Sequence, residues 1–127
     1  MRINAYEFAQ VLIRICDKET SADPENWSPD NPLWGHCAVA SLLAQDVFGG
    51  DLVRASLEGT PFATMRSHYW NRFPGSLEID FTAAQFGIAL PGNLIAELRE
   101  RDYVLSNAET RQRYELLRVR LDSVIGA

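Results

Sequence analysis

From Ser67 to Thr82 two kinds of side chain alternate around a single Pro74-Gly75-Ser76 break, and this pattern leaves the segment few ways to fold. A period of two marks a half-buried strand, and Pro-Gly-Ser supplies turn chemistry between two such strands. If Phe73 faces Leu77 across a three-residue turn, Arg72 opposes Glu78, Trp70 opposes Asp80, and His68 opposes Thr82. Those six side chains then share one face, while Tyr69, Phe73, Leu77, Ile79 and Phe81 take the other, with Asn71 as the exception. A two-residue turn at Pro74-Gly75 mixes the two sets, because a one-residue slip moves every side chain to the opposite face. In the preferred register His68 and Asp80 are diagonal neighbours, roughly 7–8 Å apart at the backbone and closer at their side chains. An imidazole and a carboxylate at that spacing can hydrogen-bond.

The rest of the chain supplies helices to cover this hairpin. Residues 4 to 18 read as a helix, with Phe8, Val11, Leu12 and Ile15 on one buried face and Asn4 and Glu7 spaced as a capping box. Residues 20 to 33 read as a loop, since Pro24, Pro29 and Pro32 deny it regular structure. A second helix starts near Gly35 to Cys37 and runs to Val47 or Phe48, where Gly49-Gly50 supplies a stop. A strand over Asp51 to Leu57 follows. Residues 94 to 101 suit a short helix. The last helix begins at Ser106-Asn107-Ala108-Glu109, another capping-box pattern, and extends to about Val124. Its stripe of Tyr114, Leu117, Leu121 and Val124 is expected to dock on the body of the domain, leaving Arg111, Arg113, Glu115 and Arg118 solvated. The 127 residues suit one domain, 1–127, large enough to bury a core without disulfides or a structural metal. The expected class is α+β, with helices packed against a small antiparallel sheet.

Charge and composition remove several function classes. A formal charge of −5 argues against non-specific nucleic-acid binding, which needs Lys and Arg to replace phosphate counterions. No apolar run approaches the ~18 residues needed to span a bilayer, and the first residues lack the pattern of a secretory signal, so no membrane partner and a cytoplasmic location are expected. Cys16 and Cys37 have neither metal-ligand spacing nor a disulfide framework, so no metal and no cofactor are called for.

What remains is nucleophile chemistry. Cys37 opens a helix, where unpaired backbone N–H groups and the helix dipole favour a thiolate. His68 follows in the chain as the candidate general base and acid, and Asp80 as the residue that orients it. The Cys37 backbone N–H would hold an oxyanion together with one further donor, for which Asn31, six residues upstream, and His36 are candidates. Trp34 and Trp70 lie beside these segments and could line a substrate cleft or simply fill the core. A lone cysteine in an apolar helix is more often packing than nucleophile. It is the combination of helix start, hairpin pairing and chain order that points to a site.

At these residues the chain resembles the YunG-like family of small bacterial proteins. The resemblance runs in order through Asn31-Pro-Leu-Trp-Gly-His-Cys-Ala-Val-Ala, Phe48-Gly49-Gly50, Ser67-His68-Tyr69-Trp70-Asn71-Arg72, Glu78-Ile79-Asp80-Phe81-Thr82 and Gln85-Phe86. That family pattern carries Gln where this chain has His36. More broadly, Gly35-His36-Cys37, His68-Tyr69-Trp70 and Asp80-Phe81-Thr82 resemble the three site segments of the transglutaminase-like and papain-like cysteine superfamily. This resemblance implies a papain/transglutaminase-like core, with Cys37 as nucleophile, His68 as general base and acid, and Asp80 as the orienting residue.

Two functional expectations follow. The first is a cysteine-dependent hydrolase or acyltransferase acting on an amide, peptide or thioester bond, whose substrate is a peptide, a protein or a small molecule. The second is a non-catalytic papain-like-fold binding protein in which the same residues are structural. Neither reading sets the oligomeric state.

Overall fold

The computed structural model describes residues 3–88, 90 and 93–126. Helix α1 (Ala5–Ile15) opens on the expected capping box: Asn4 Oδ1 accepts from the Glu7 N–H at 2.8 Å, and the Glu7 carboxylate accepts from the Asn4 N–H at 3.0 Å. The helix stops at Ile15 rather than continuing to residue 18. Asp17 takes the N–H groups of Glu19 and Thr20 and starts a separate 3-10 turn over Lys18–Thr20.

Helix α2 (Cys37–Phe48) ends at Gly49, whose φ of 78° is open to glycine and strained for other residues. Strand β1 (Asp51–Ser56) leads through a 3-10 turn to strand β2 (Ser67–Phe73) and strand β3 (Leu77–Ile79). The hairpin register is the one that alternation requires: Phe73 opposes Leu77 and Arg72 opposes Glu78. The ladder ends at Asn71 opposite Ile79, and the chain leaves the sheet at Asp80.

Residues 96–99 depart from the helical expectation for 94 to 101. They form strand β4 (Ala96–Arg99), which pairs antiparallel with β1 and gives the sheet order β3-β2-β1-β4. The local sequence Ala-Glu-Leu-Arg favours a helix, but β1 presents a free edge whose N–H and C=O groups need partners, and that tertiary demand outweighs propensity. A one-and-a-half-turn helix α3 (Arg101–Leu105) follows. Helix α4 (Ala108–Ile125) is capped by Asn107, which accepts from the Thr110 N–H at 2.9 Å; the cap lies one residue past the expected Ser106 and is a single bond rather than a reciprocal box. The buried stripe holds Tyr114, Leu117 and Leu121 as expected and ends on Ile125, while Val124 is exposed. The arginines of this helix are not all free either: Arg118 joins Arg101 and Tyr114 around Asp46 of α2.

The core lies between the helices and one face of the sheet, with Phe8, Leu12, Leu42, Leu43, Leu52, Leu117 and Leu121 almost wholly buried. Each such side chain contributes about 1.5–3 kcal/mol over leaving it in water. Asn71, the exception to the alternation, belongs to this face with Leu52 and Phe73. Its Nδ2 donates to the Ser41 carbonyl at 3.0 Å, fastening α2 to β2. Farther along, the rings of Phe48 and Phe73 meet at 5.9 Å. Helix and strand therefore run in the same direction, and the first residue of α2 lies level with the start of β2. This parallel alignment brings Cys37 to His68. The class is α+β, as expected. Among the described residues no helix is long and apolar enough to cross a membrane.

Candidate active site

Cys37 is the first residue of α2 and is partly exposed. No side chain caps this helix end, so the first N–H groups, including that of Cys37, lie outside the helix's own hydrogen bonding. The approach to it is shaped by Gly35, at φ 76°, where an added Cβ would lie 2.3 Å from Ser21 Oγ. The neighbouring segment closes on that glycine: the Ala22 N–H donates to the Gly35 carbonyl at 2.9 Å, and the Ser21 hydroxyl to the Trp34 carbonyl at 2.7 Å. The turn presenting the thiol is thus held by residues 21–23.

His68 is 1% exposed, and its Nε2–H donates to Asp80 Oδ2 at 2.5 Å. An ionised carboxylate only accepts, which places the proton on Nε2. Nδ1 is also buried and has no hydrogen-bond partner among the described residues. Cys37 lies near enough to the ring to act on its charge. Burial alone lowers the imidazole pKa. The hydrogen bond to Asp80 and the neighbouring Cys37 outweigh that effect and raise it from 6.5 to about 9. Trp70 stacks beside the ring at 5.6 Å and Phe86 meets it edge-on at 4.9 Å, shielding these bonds from water.

Asp80 is itself held. Its Oδ1 accepts from the Thr82 N–H at 3.1 Å and from the Thr82 hydroxyl at 3.4 Å. Gln85, 2% exposed, donates to Thr82 Oγ1 at 2.9 Å and accepts from the Gly35 N–H at 3.0 Å. Sequence reasoning did not single out Thr82 or Gln85 as site residues. The only signal for Gln85 was its place in the Gln85-Phe86 pair that carries the family resemblance.

The other site candidates fall into two groups. Trp70 lies on the imidazole, and its Nε1–H donates to Glu78 at 2.6 Å. Trp34 reaches His68 only through a row of rings, Phe62 and then Phe86, while its N–H donates to Asp23 at 3.1 Å. Asn31 and His36, the candidate oxyanion donors, make bonds within the scaffold. Asn31 donates to the Gln85 carbonyl at 2.8 Å and braces the loop. The ring of His36 is fully buried, with Nδ1–H donating to the Trp34 carbonyl at 2.9 Å and Nε2 accepting from the Thr20 hydroxyl at 2.7 Å. Burial is the main cause holding its pKa down at about 4. His36 is a neutral histidine bonded at both ring nitrogens within the scaffold.

A cleft of about 550 Å3 opens at Asp80, lined by Ala83, Ala84, Phe86, Gly87, Ile88 and Leu90. Its wall is small and apolar apart from the carboxylate, and it has the size of a site for a small organic group.

Comparison with known proteins places the chain. Residues 4–126 match the YunG protein family. A relative in Bacillus subtilis (strain 168), described as uncharacterized protein YunG, is 29% identical over 86 residues, which cover 68% of this chain and 69% of the relative. No solved structure matches the chain. Cys37, His68, Asp80, Thr82 and Gln85 all fall inside the matched range, and the chain belongs to the YunG family.

Proposed function

We propose that this chain is a cysteine-dependent hydrolase or acyltransferase acting on an amide, peptide or thioester bond, built on a papain- or transglutaminase-like arrangement of a helix-borne cysteine against strand-borne partners. The observation that carries this reading is the meeting of Cys37, His68 and Asp80: His68 Nε2 is bonded to Asp80, Nδ1 has no hydrogen-bond partner among the described residues, and Cys37 is close enough to raise the pKa of the ring. An imidazolium beside a thiol favours the thiolate, which is the attacking species. The Cys37 sulfur adds to the carbonyl carbon, and N–H groups at the start of α2 receive the oxyanion. His68 gives its proton to the departing amine or thiol as the C–N or C–S bond breaks, leaving an acyl-cysteine. Neutral His68 then takes a proton from water or an acceptor amine, which attacks the acyl carbon and frees the thiolate. Asp80 stabilises the charged ring and fixes its tautomer throughout. The apolar cleft beside Asp80 and Phe86 is the natural seat for part of the substrate. A cytoplasmic setting, where free thiols stay reduced, suits this chemistry.

The test uses p-nitrophenyl acetate and a short-chain acyl thioester, followed by intact-protein mass measurement. Stoichiometric acylation at Cys37, absent in Cys37→Ala and slowed about 100-fold or more in His68→Ala, supports the reading. A folded chain whose Cys37 acylates no faster than the same cysteine in urea removes it, and the non-catalytic binding protein then stands.

A further inference from the structure

The bonds that surround Asp80 run in one direction. A backbone N–H can only donate, so the Gly35 N–H requires the oxygen end of the Gln85 amide to face it. The amino end, which also only donates, is therefore turned to Thr82 Oγ1. With its oxygen accepting from Gln85, the Thr82 hydroxyl hydrogen is free to point at Asp80 Oδ1, alongside the Thr82 N–H. Two donors thus occupy Oδ1, and Oδ2 is left for His68. The carboxylate cannot rotate without breaking this set.

The same glutamine also joins the two halves of the site. Its backbone carbonyl accepts from Asn31 and its side chain from Gly35, so the 3-10 turn Ala83–Phe86 is fastened twice to the loop that ends at Cys37. Both Gln85 and Thr82 are 2% exposed, where water does not compete for these bonds.

We infer that Gln85, acting through the Thr82 hydroxyl, is a positioning residue that sets which Asp80 oxygen faces His68 and ties the acid to the cysteine-bearing turn. The inference rests on the proposed roles of Cys37, His68 and Asp80, but its readout is His68 itself. The chain has two histidines, and their values of about 9 for His68 and about 4 for His36 keep their titrations apart.

The experiment compares the wild-type chain with Thr82→Val, Thr82→Ser and Gln85→Leu by proton NMR. It follows the downfield His68 Nε2–H resonance and the His68 titration. Thr82→Val keeps shape and loses the hydroxyl; Thr82→Ser keeps the hydroxyl. The expected result is a His68 midpoint lowered by about one unit in Thr82→Val and Gln85→Leu, with the downfield resonance shifted or lost, and both restored in Thr82→Ser. A folded Thr82→Val with an unmoved or raised midpoint overturns the inference, as does a Thr82→Ser chain that behaves like Thr82→Val. If Gln85→Leu does not fold, the Thr82 pair decides alone. Failure of Cys37 to acylate in the wild-type chain would be a separate result, striking the proposed chemistry and leaving this readout intact.

Discussion

The chain has two cysteines and two histidines, and it uses one pair in each of two very different surroundings. Cys16 and His36 sit under the 3-10 turn, where burial, helped by the charge of Asp17, pushes the Cys16 thiol up to about 12, and burial holds His36 down at about 4. Cys37 and His68 sit at the mouth of the α2–β2 alignment. His68 is as buried as His36, yet it titrates at about 9. The difference is the partner: a hydroxyl and a carbonyl satisfy a neutral ring, whereas a carboxylate stabilises a charged one. Burial against neutral partners keeps a histidine uncharged; burial against an acid favours its charged form.

The sharpest way to break this contrast is to neutralise the acid. Asp80→Asn should lower Cys37 acylation by about 100-fold or more, because an amide neither fixes the tautomer nor supports the imidazolium. Thr20→Val, the matching change beside His36, should leave acylation unaltered and show itself in the melting temperature.

The second effect is the pH dependence of stability. Between about pH 4 and 6.5 the unfolded chain binds a proton at His36 that the folded chain refuses, so stability rises with pH across that window. The contribution is present above 6.5 and lost as pH falls toward 4, to the extent of about 3 kcal/mol. His68 has the opposite sign. Its contribution is complete below about 6.5 and is lost as pH rises through 9. Denaturant unfolding at several pH values should show His36→Gln flattening the acid side alone. His68→Gln should flatten the alkaline side alone.

A smaller loss is expected at Gly35. Gly35→Ala forces a side chain into a positive-φ position against Ser21 and should cost about 1–3 kcal/mol in unfolding experiments. The smallest is Glu78→Gln. Arg72 and Glu78 pair at 3.1 Å with both side chains well exposed, so the change should cost less than about 1 kcal/mol and leave acylation untouched.

Some of this was legible in the sequence. The hairpin register followed from alternation and a three-residue turn, and the cap at Asn4 from its spacing to Glu7, because both signals are local. The start of α2 at Cys37 was legible for the same reason. Strand β4 was not: Ala96 to Arg99 becomes a strand only because β1 offers an edge. The phase of α4 was legible through Tyr114, Leu117 and Leu121; only its last position differs, where a step of four residues from Leu121 buries Ile125 in place of Val124, both steps being compatible with 3.6 residues per turn. His36 and its partner Thr20 meet only through folding, and so do Gln85 and Gly35. A buried glutamine has no sequence signature of its own.

The central claim is that His68 activates Cys37, and the most direct measurement is the pH dependence of Cys37 alkylation by iodoacetamide in Cys16→Ser, with and without His68→Ala. The account predicts alkylation that stays fast well below the ordinary thiol range near about 8.5 and drops about ten-fold or more at pH 6 when His68 is removed. A Cys37 that tracks an ordinary free thiol and is indifferent to His68 would contradict it.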